Sequence, residues 1–274
     1  MQNAETNERS EDRRRTAAAI ARSFVTARRD ARSLAAFPGT IPQDLDAAYL
    51  CQDLAITAWP DRLIGWKVGM IAPALRARFG TDRLAGAIFD GGLRMAGDTV
   101  AFPVFVGGFA AVEAEFVLLI AHDAPTAKLD WTEGEARALV GAMHTGIECA
   151  GSPLATINEL GPTVVAADFG NNAGLILGPP IRDWATRPLE SLAVVTSIDG
   201  KIVGRGDAGL LPQGPIGALQ FLAAQTARIG RPLKAGMLVS TGAVTGVHDI
   251  KPGQSALADF GPHGRISCFA VAAK

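Results

Sequence analysis

The pattern of apolar and polar positions changes character early in the chain. Apolar side chains first recur at helical spacing and predict two helices, over residues 13–37 and from a cap at Asp44 to about Trp59. Short apolar runs separated by glycines then take over, a pattern typical of strands joined by turns. We therefore expect an N-terminal helical region over residues 1–62 and a β-rich domain over residues 63–274.

Eight runs of the second part have the apolar and β-branched content of strands. They are Trp66–Met70, Thr99–Phe102, Val112–Ile120, Thr163–Val165, Leu175–Leu177, Leu192–Ile198, Met237–Thr241 and Ile266–Val271. The helices predicted between them are Pro73–Phe79, Thr132–Met143 and Pro215–Ile229. Asp199-Gly200 marks a hairpin turn. Because strands outnumber helices without a regular βαβ alternation, we expect an α+β fold with a mixed or antiparallel core.

Two carboxylates, Glu113 and Glu115, stand in the apolar run Val112–Ile120. A strand alternates its faces, so both point the same way. Two anions on one face of a buried strand repel each other and are costly to desolvate, so we expect a positive partner. The alternative is an edge strand with one solvated polar face, against which the unbroken apolar run Phe116–Ile120 favours burial on both faces.

A third carboxylate, Glu148, lies in another apolar segment after a predicted helix. Three carboxylates without a supporting His or Cys favour a hard cation, Mg²⁺ or Mn²⁺, over zinc. A site of three carboxylates leaves coordination positions open for substrate oxygens and water.

Lys67 lies between Gly65 and Gly69 in a short apolar strand. One interpretation is a surface lysine whose stem lies along apolar side chains. The other is a lysine held in a cleft with a depressed pKa, able to transfer protons near neutral pH. The local sequence leaves both open.

Two glycine-containing segments are weaker candidates. Ser240-Thr241-Gly242-Ala243 follows a strand and is either an ordinary turn or a source of hydroxyl and N–H groups for an anionic ligand. Gly204–Gly209 formally matches a dinucleotide fingerprint, but Pro212 and Pro215 stand where a helix would have to open. We therefore expect a glycine-rich loop there.

Composition narrows the classes of protein. The formal net charge of −1 argues against nucleic acid or an anionic membrane as the main partner, and 48% hydrophobic residues allow a sizeable core. Three separated cysteines predict free buried thiols. Residues 1–15 contain no apolar segment and no run is long enough to span a bilayer, so we expect a cytoplasmic protein with a frayed tail over residues 1–12.

Four segments together, in this order, resemble one known family. They are Gly65-Trp66-Lys67-Val68-Gly69, Glu113-Ala114-Glu115, Ile147-Glu148 and Thr241-Gly242. The family is that of 2-keto-4-pentenoate hydratase and 4-oxalocrotonate decarboxylase, in the fumarylacetoacetate hydrolase superfamily, and the resemblance spans nearly the whole chain. It implies a C-terminal mixed β-roll after an N-terminal helical region, metal ligands at Glu113, Glu115 and Glu148, and an active-site lysine at Lys67.

Three positions depart from the family's pattern. Trp66 stands where the family commonly has Arg before its lysine. Asp82 matches the first of two family aspartates and is our second candidate catalytic residue, whereas the other aspartate, thought to act in proton transfer, has no clear counterpart. Asn171 stands where the family has Asp in a Val-Ala-Asp-Asn segment.

The leading hypothesis is a metal-dependent hydratase of aromatic catabolism. It would add water to a 2-hydroxypenta-2,4-dienoate-type acid and give a 4-hydroxy-2-oxo acid, with Lys67 moving the proton. Thr241, Gly242 and Arg83 are the candidate substrate-binding residues. We expect a homo-oligomer, which can also associate with another enzyme of the pathway.

Three alternatives stay open. The same metal site would serve a 4-oxalocrotonate-type decarboxylase, with Arg83 facing a second substrate carboxylate. It would also serve an acylpyruvate C–C hydrolase, which is disfavoured because the N-terminal half has no convincing His to activate water. The missing aspartate motivates the third, a non-catalytic partner subunit of a degradative complex.

Overall fold

The structure is a computed structural model that describes the backbone of residues 2–274 and the side chains of residues 11–274. The α-helices are α1 Gln2–Arg29, α2 Leu45–Ala58, α3 Pro73–Phe79, α4 Glu133–Ala138, α5 Pro162–Ala167 and α6 Gly214–Arg228. The strands are β1 Leu63–Met70, β2 Arg83–Phe89, β3 Leu93–Met95, β4 Val100–Val104, β5 Phe109–Ile120, β6 Val140–Ser152, β7 Asn172–Pro180, β8 Ala193–Ile198, β9 Lys201–Asp207, β10 Leu238–Ser240, β11 His248–Asp249, β12 Ser255–Asp259 and β13 Arg265–Ala272.

The strands form two curled sheets. The larger has the order β2-β1-β10-β5-β6-β7-β3, with β11 added against β5, and the smaller has the order β4-β13-β12-β8-β9. The larger sheet is mixed, because β1 pairs with β10 and β3 with β7 in parallel, among antiparallel ladders. Only a short turn separates β2 from β3, so the pairing of β3 with β7 draws the two ends of the sheet together. The expected α+β fold with a mixed β-roll is confirmed.

Strand β5 lies inside the larger sheet. It pairs with β6 along almost its whole length, while β10 and β11 occupy its other side. Residues 111–118 are all buried. The edge-strand alternative for the Glu113 and Glu115 pair is therefore wrong.

The N-terminal helices share one hydrophobic core with both sheets. Phe24 of α1, Trp66 of β1 and Phe116 of β5 are fully buried in it. Division of the chain at residue 62 into two domains stays a prediction. The three cysteines are free and buried, as expected. None of the helices over the described residues is long and apolar enough to cross a bilayer.

The first helix differs from its prediction at both ends. It runs from Gln2 to Arg29 instead of covering residues 13–37. Residues 2–12, expected as a frayed tail, continue the helix because Ala, Glu and Arg in this run are good helix formers; Met1 lies outside the described residues. The chain leaves the helix where Ala31 takes a left-handed φ of 50°.

Long-range pairing overrides two other local predictions. The helix predicted over Thr132–Met143 has its capping box but stops at Ala138, because the residues from Val140 onward pair with β5 as β6. Glu148 consequently lies in a strand, and the register between β5 and β6 determines which residues lie beside it. Residues 204–207, expected as a loop, pair with β8 as part of β9.

Two short segments complete the comparison. Thr163–Val165, predicted as a strand, is a helical turn inside α5, which begins with Pro162 at a position favourable for proline and packs against α2. The predicted hairpin turn is confirmed, since Asp199 and Gly200 take φ values of 47° and 77° between β8 and β9.

Candidate metal centre

Strand register brings three glutamates together. Glu113 and Glu115 lie on β5, and Glu148 lies directly opposite Glu113 on β6. Residues paired across a ladder share a face, so all three carboxylates are on the same side of the sheet. One oxygen from each lies within 4.8 Å of the others, and all three residues are buried.

Lys67 reaches the same face from β1. The register aligns Lys67 with Ser240 of β10, and Ser240 with Val117 of β5, two residues beyond Glu115. The Nζ of Lys67 lies 3.3 Å from Oε2 of Glu148. Because Lys67 is only 3% exposed, the interpretation as a surface lysine is wrong.

Hydrogen bonds hold one oxygen of each of two glutamates. Oε2 of Glu115 accepts from the Ser240 hydroxyl at 2.6 Å and from the Gly242 N–H at 2.9 Å. Oε1 of Glu148 accepts from the Asn172 amide at 3.0 Å. The remaining oxygens, Oε1 of Glu115 and Oε2 of Glu148, are buried, and neither accepts a hydrogen bond within the part of the chain that the structure describes. Oε2 of Glu148 instead faces the Lys67 ammonium as an ion pair at 3.3 Å.

The cluster contains three carboxyl groups and one ammonium group, so the charged carboxylates are incompletely compensated. Burial, reinforced by Glu148 and only partly opposed by Lys67, raises the pKa of Glu113 to about 7. Burial and the other two carboxylates raise the pKa of Glu115 well above its usual range. Burial alone would lower the pKa of Lys67, but the three carboxylates outweigh it and raise that pKa. The second interpretation of Lys67, a lysine with a depressed pKa, is therefore wrong for the protein without a cation.

These features fit a divalent cation. The donors are carboxylate oxygens, which hard cations prefer. Buried carboxylate oxygens that accept no hydrogen bond are costly unless a cation satisfies them, and Lys67 lies beside Oε2 of Glu148, which leaves Oε1 of Glu115. Glu113, Glu115 and Glu148 could hold such an ion, and Ser240 and Asn172 would orient two of them.

The predicted substrate-binding donors of the Ser240 segment already have partners. The Thr241 hydroxyl donates to the Phe116 carbonyl at 2.7 Å, and the Gly242 N–H is used by Glu115. Ser240, not selected as a site residue, is the side chain of this segment that contacts the cluster. Its position at the end of a strand, directly before the candidate residues Thr241 and Gly242, could have indicated it from the sequence.

Asp82 and Arg83 lie along the β1–β2 ladder from Lys67. Arg83 pairs with Met70, and Lys67 pairs with Gly86, so alternation places the side chains of Lys67 and Arg83 on opposite faces. The Arg83 guanidinium donates to Asp82 at 3.1 Å and to the Pro212 carbonyl. The catalytic role of Asp82 and the substrate role of Arg83 stay predictions.

A left-handed turn covers Lys67. Phe169, Gly170 and Asn171 have φ values of 52°, 62° and 58°. A Cβ at Gly170 would lie 3.3 Å from Cδ of Lys67 and 2.8 Å from Cα of Gly86, so the turn approaches Lys67 closely. Such strained backbone is concentrated at functional sites. Asn172, immediately after the turn, was missed from the sequence because its partner Glu148 becomes its neighbour only through the β6–β7 register.

The chain is similar in sequence to proteins named as hydratases. The chain is 28% identical over 246 residues to 2-keto-4-pentenoate hydratase 1 of Dechloromonas aromatica, covering 86% of this chain and 89% of that protein. It is 30% identical over 190 residues to 2-keto-4-pentenoate hydratase of Paraburkholderia phymatum, covering 67% and 69%. No protein-family model matches the chain.

A solved structure shares the fold. It is 4-oxalocrotonate decarboxylase from Pseudomonas putida G7, with a TM-score of 0.76, 22% identity and coverage of 94% of this chain and 98% of that one. That protein was solved with calcium and acetate and with magnesium and adipate. Identity and coverage with the hydratases show that this chain belongs to the 2-keto-4-pentenoate hydratase family.

Proposed function

We propose that this protein is a metal-dependent hydratase, a hydro-lyase of aromatic catabolism. Its substrate would be a 2-hydroxypenta-2,4-dienoate-type acid and its product a 4-hydroxy-2-oxo acid. The observation that carries the proposal is the convergence of three buried carboxylates beside Lys67, in a chain whose relatives are named 2-keto-4-pentenoate hydratase.

Glu113, Glu115 and Glu148 would hold the ion, and we propose Mg²⁺ or Mn²⁺. All-oxygen donors support either ion, and the fold neighbour was solved with magnesium. When bound, a divalent cation supplies Lewis-acid chemistry toward the carboxylate and 2-oxygen of the substrate.

Lys67 would handle the proton. Hydration requires that the substrate's 2-hydroxyl lose a proton and that a carbon gain one before water adds to the conjugated carbon. The ammonium of Lys67 is buried beside Glu148 and is covered by the turn at Gly170, so its proton is held away from bulk water. We infer that Nζ donates this proton to carbon and accepts one in return.

The test is turnover by protein stripped with EDTA and reloaded with Mg²⁺ or Mn²⁺. With 2-hydroxypenta-2,4-dienoate, we expect loss of the dienoate absorbance and formation of 4-hydroxy-2-oxopentanoate, seen by NMR, only after reloading. Glu115→Gln should be inactive. Glu133→Gln, an exposed carboxylate on α4, is the matched control and should keep full activity.

Two results would contradict the proposal. If the stripped protein and Glu115→Gln both turned over the dienoate as fast as the metal-loaded parent, the reaction would not require a metal ion. Faster release of CO₂ from a 4-oxalocrotonate-type diacid than hydration of the dienoate would identify a decarboxylase instead. Turnover of either substrate by the isolated protein excludes a purely structural partner role.

A further inference from the structure

We propose that Arg28, on the N-terminal helix α1, is a positioning residue for Glu148 and acts through Asn172. The inference deepens the proposed function and rests on it, because it concerns how one of the three carboxylates is oriented for a cation. It gives Arg28, which precedes Glu148 by 120 positions in the chain, a part in orienting a ligand of the metal centre.

The first observation is an irregularity in the β6–β7 ladder. Cys149 pairs with Gly174, yet the next residue, Ala150, pairs with Asn172, so Ala173 is an extra residue on β7. Without that bulge Ala173 would face Ala150, and Asn172 would face Gly151. A shift of one residue moves a side chain to the other face of the sheet.

The bulge therefore places Asn172 on the side of the carboxylates. Ala150 and Glu148 are two residues apart on β6 and share a face, and Asn172 shares it through its pairing with Ala150. The Asn172 amide consequently reaches Oε1 of Glu148 at 3.0 Å. With Oε1 held, Oε2 of Glu148 is the oxygen that lies beside Lys67.

Arg28 holds this bulge from the outside. Its Nη1 donates to the Asn172 carbonyl at 2.8 Å, and its Nη2 donates to the Gly151 carbonyl at 3.0 Å. One guanidinium thus bridges the two strands at the point where their own ladder is irregular. Because the guanidinium is planar, its donors fix the spacing and orientation of both carbonyls.

The guanidinium is itself fixed. Its Nε donates to Oδ1 of Asp168 at 2.5 Å, and the side chains of Arg28 and Asp168 are 5% and 0% exposed. Oδ2 of Asp168 accepts from the Ser152 hydroxyl at 2.6 Å, which ties the pair back to β6. Partners that orient a metal ligand typically change metal affinity by about 10- to 100-fold when they are removed.

The experiment measures binding of Mn²⁺ to EDTA-treated full-length protein by calorimetry. The variants are Arg28→Gln, Arg28→Lys, Asn172→Leu and the double variant Arg28→Gln/Asn172→Leu, each checked for folding by circular dichroism. Arg231→Gln is the matched control, since Arg231 also joins distant elements, through Asp53 at 2.6 Å and Thr57 at 3.0 Å, away from the cluster.

We expect Arg28→Gln and Asn172→Leu each to weaken Mn²⁺ binding by about tenfold or more, and Arg231→Gln to leave it unchanged. If Arg28 acts through Asn172, the double variant binds no more weakly than Asn172→Leu alone, a coupling that general destabilisation would not produce. Arg28→Lys should also weaken binding, because an ammonium cannot bridge both carbonyls in the same plane.

An affinity within twofold of the parent for either Arg28→Gln or Asn172→Leu would overturn the inference, as would additive losses in the double variant. Where Arg28→Gln does not fold, Arg28→Lys in the Asn172→Leu background supplies the same coupling. Failure of the parent protein to bind Mn²⁺ would overturn the proposed metal centre itself, and the inference with it.

Discussion

Two buried ion pairs meet at Asn172, and they differ in balance. On one side Arg28 and Asp168 match one cation to one anion, and their polar atoms also bond to Ser152, Gly151 and the Asn172 carbonyl. The other pair joins Lys67 to Glu148.

Over the residues that the structure describes, Lys67 is the one cation beside the three carboxylates, and two of these keep a buried oxygen without a hydrogen bond. The Arg28–Asp168 pair needs no further charge, so we interpret it as a structural ion pair. The unbalanced cluster needs a further positive charge, which is the physical mark of a ligand site.

The largest expected effect is on activity and comes from Glu115→Gln. The amide keeps the shape of the side chain and an acceptor for Ser240 and Gly242, but removes one charge from the cation's ligands. We expect kcat/KM for dienoate hydration to fall by at least about 100-fold. Steady-state assays at saturating Mg²⁺ measure it, and retention of more than half of the activity would show that the imbalance is not used in catalysis.

Disruption of the balanced pair, Arg28 with Asp168, should lower the stability of the fold. Asp168→Asn leaves the buried Arg28 guanidinium without its counter-charge, so we expect a loss of about 3–5 kcal/mol in the free energy of unfolding. Urea denaturation of the metal-free protein measures it. The same experiment on Glu115→Gln should show no loss of stability, because that substitution relieves repulsion; equal losses in both variants would erase the distinction.

The pH dependence sharpens the comparison further. The pKa of Glu113 is raised to about 7 in the folded protein, and the unfolded value is near 4.5. A raised carboxyl pKa means that the folded state binds the extra proton between these values, so the stability of metal-free protein falls as pH rises from about 4.5 to 7.

The slope from this single group is at most roughly 1.4 kcal/mol per pH unit. Glu113→Gln should flatten the decline in urea denaturation series run with EDTA. An identical pH profile in the parent and the variant would contradict the assigned charge excess.

An exposed pair gives the smallest effect and sets the baseline. Lys234 and Asp123 form an ion pair at 2.9 Å on the surface, where solvent screens the charges. We expect Asp123→Asn to leave the denaturation midpoint unchanged within error. A loss of stability comparable to that of Asp168→Asn would mean that burial does not explain the different contributions of the two ion pairs.

The sequence predicted the chemistry of the site better than its geometry. Alternation along one strand was enough to place Glu113 and Glu115 on one face, and the apolar context indicated burial. Glu148 was selected as a candidate ligand, but the first residues of its strand were predicted as part of a helix. Local periodicity does not report the pairing of β6 with β5.

Other features depend on contacts that no local pattern encodes. The roles of Asn172 and Arg28 depend on a one-residue bulge between β6 and β7 and on a helix packed against it. The raised pKa of Lys67 depends on three carboxylates from two other strands. Such features become visible only when register and packing are known.

Calorimetric titration of EDTA-treated protein with Mn²⁺ tests the charge imbalance most directly. We predict that the parent binds one ion per chain and that Glu115→Gln, folded to the same extent, shows no saturable binding at the same concentrations. Absence of binding by the parent, or unchanged binding by Glu115→Gln, would contradict a cation held by Glu113, Glu115 and Glu148.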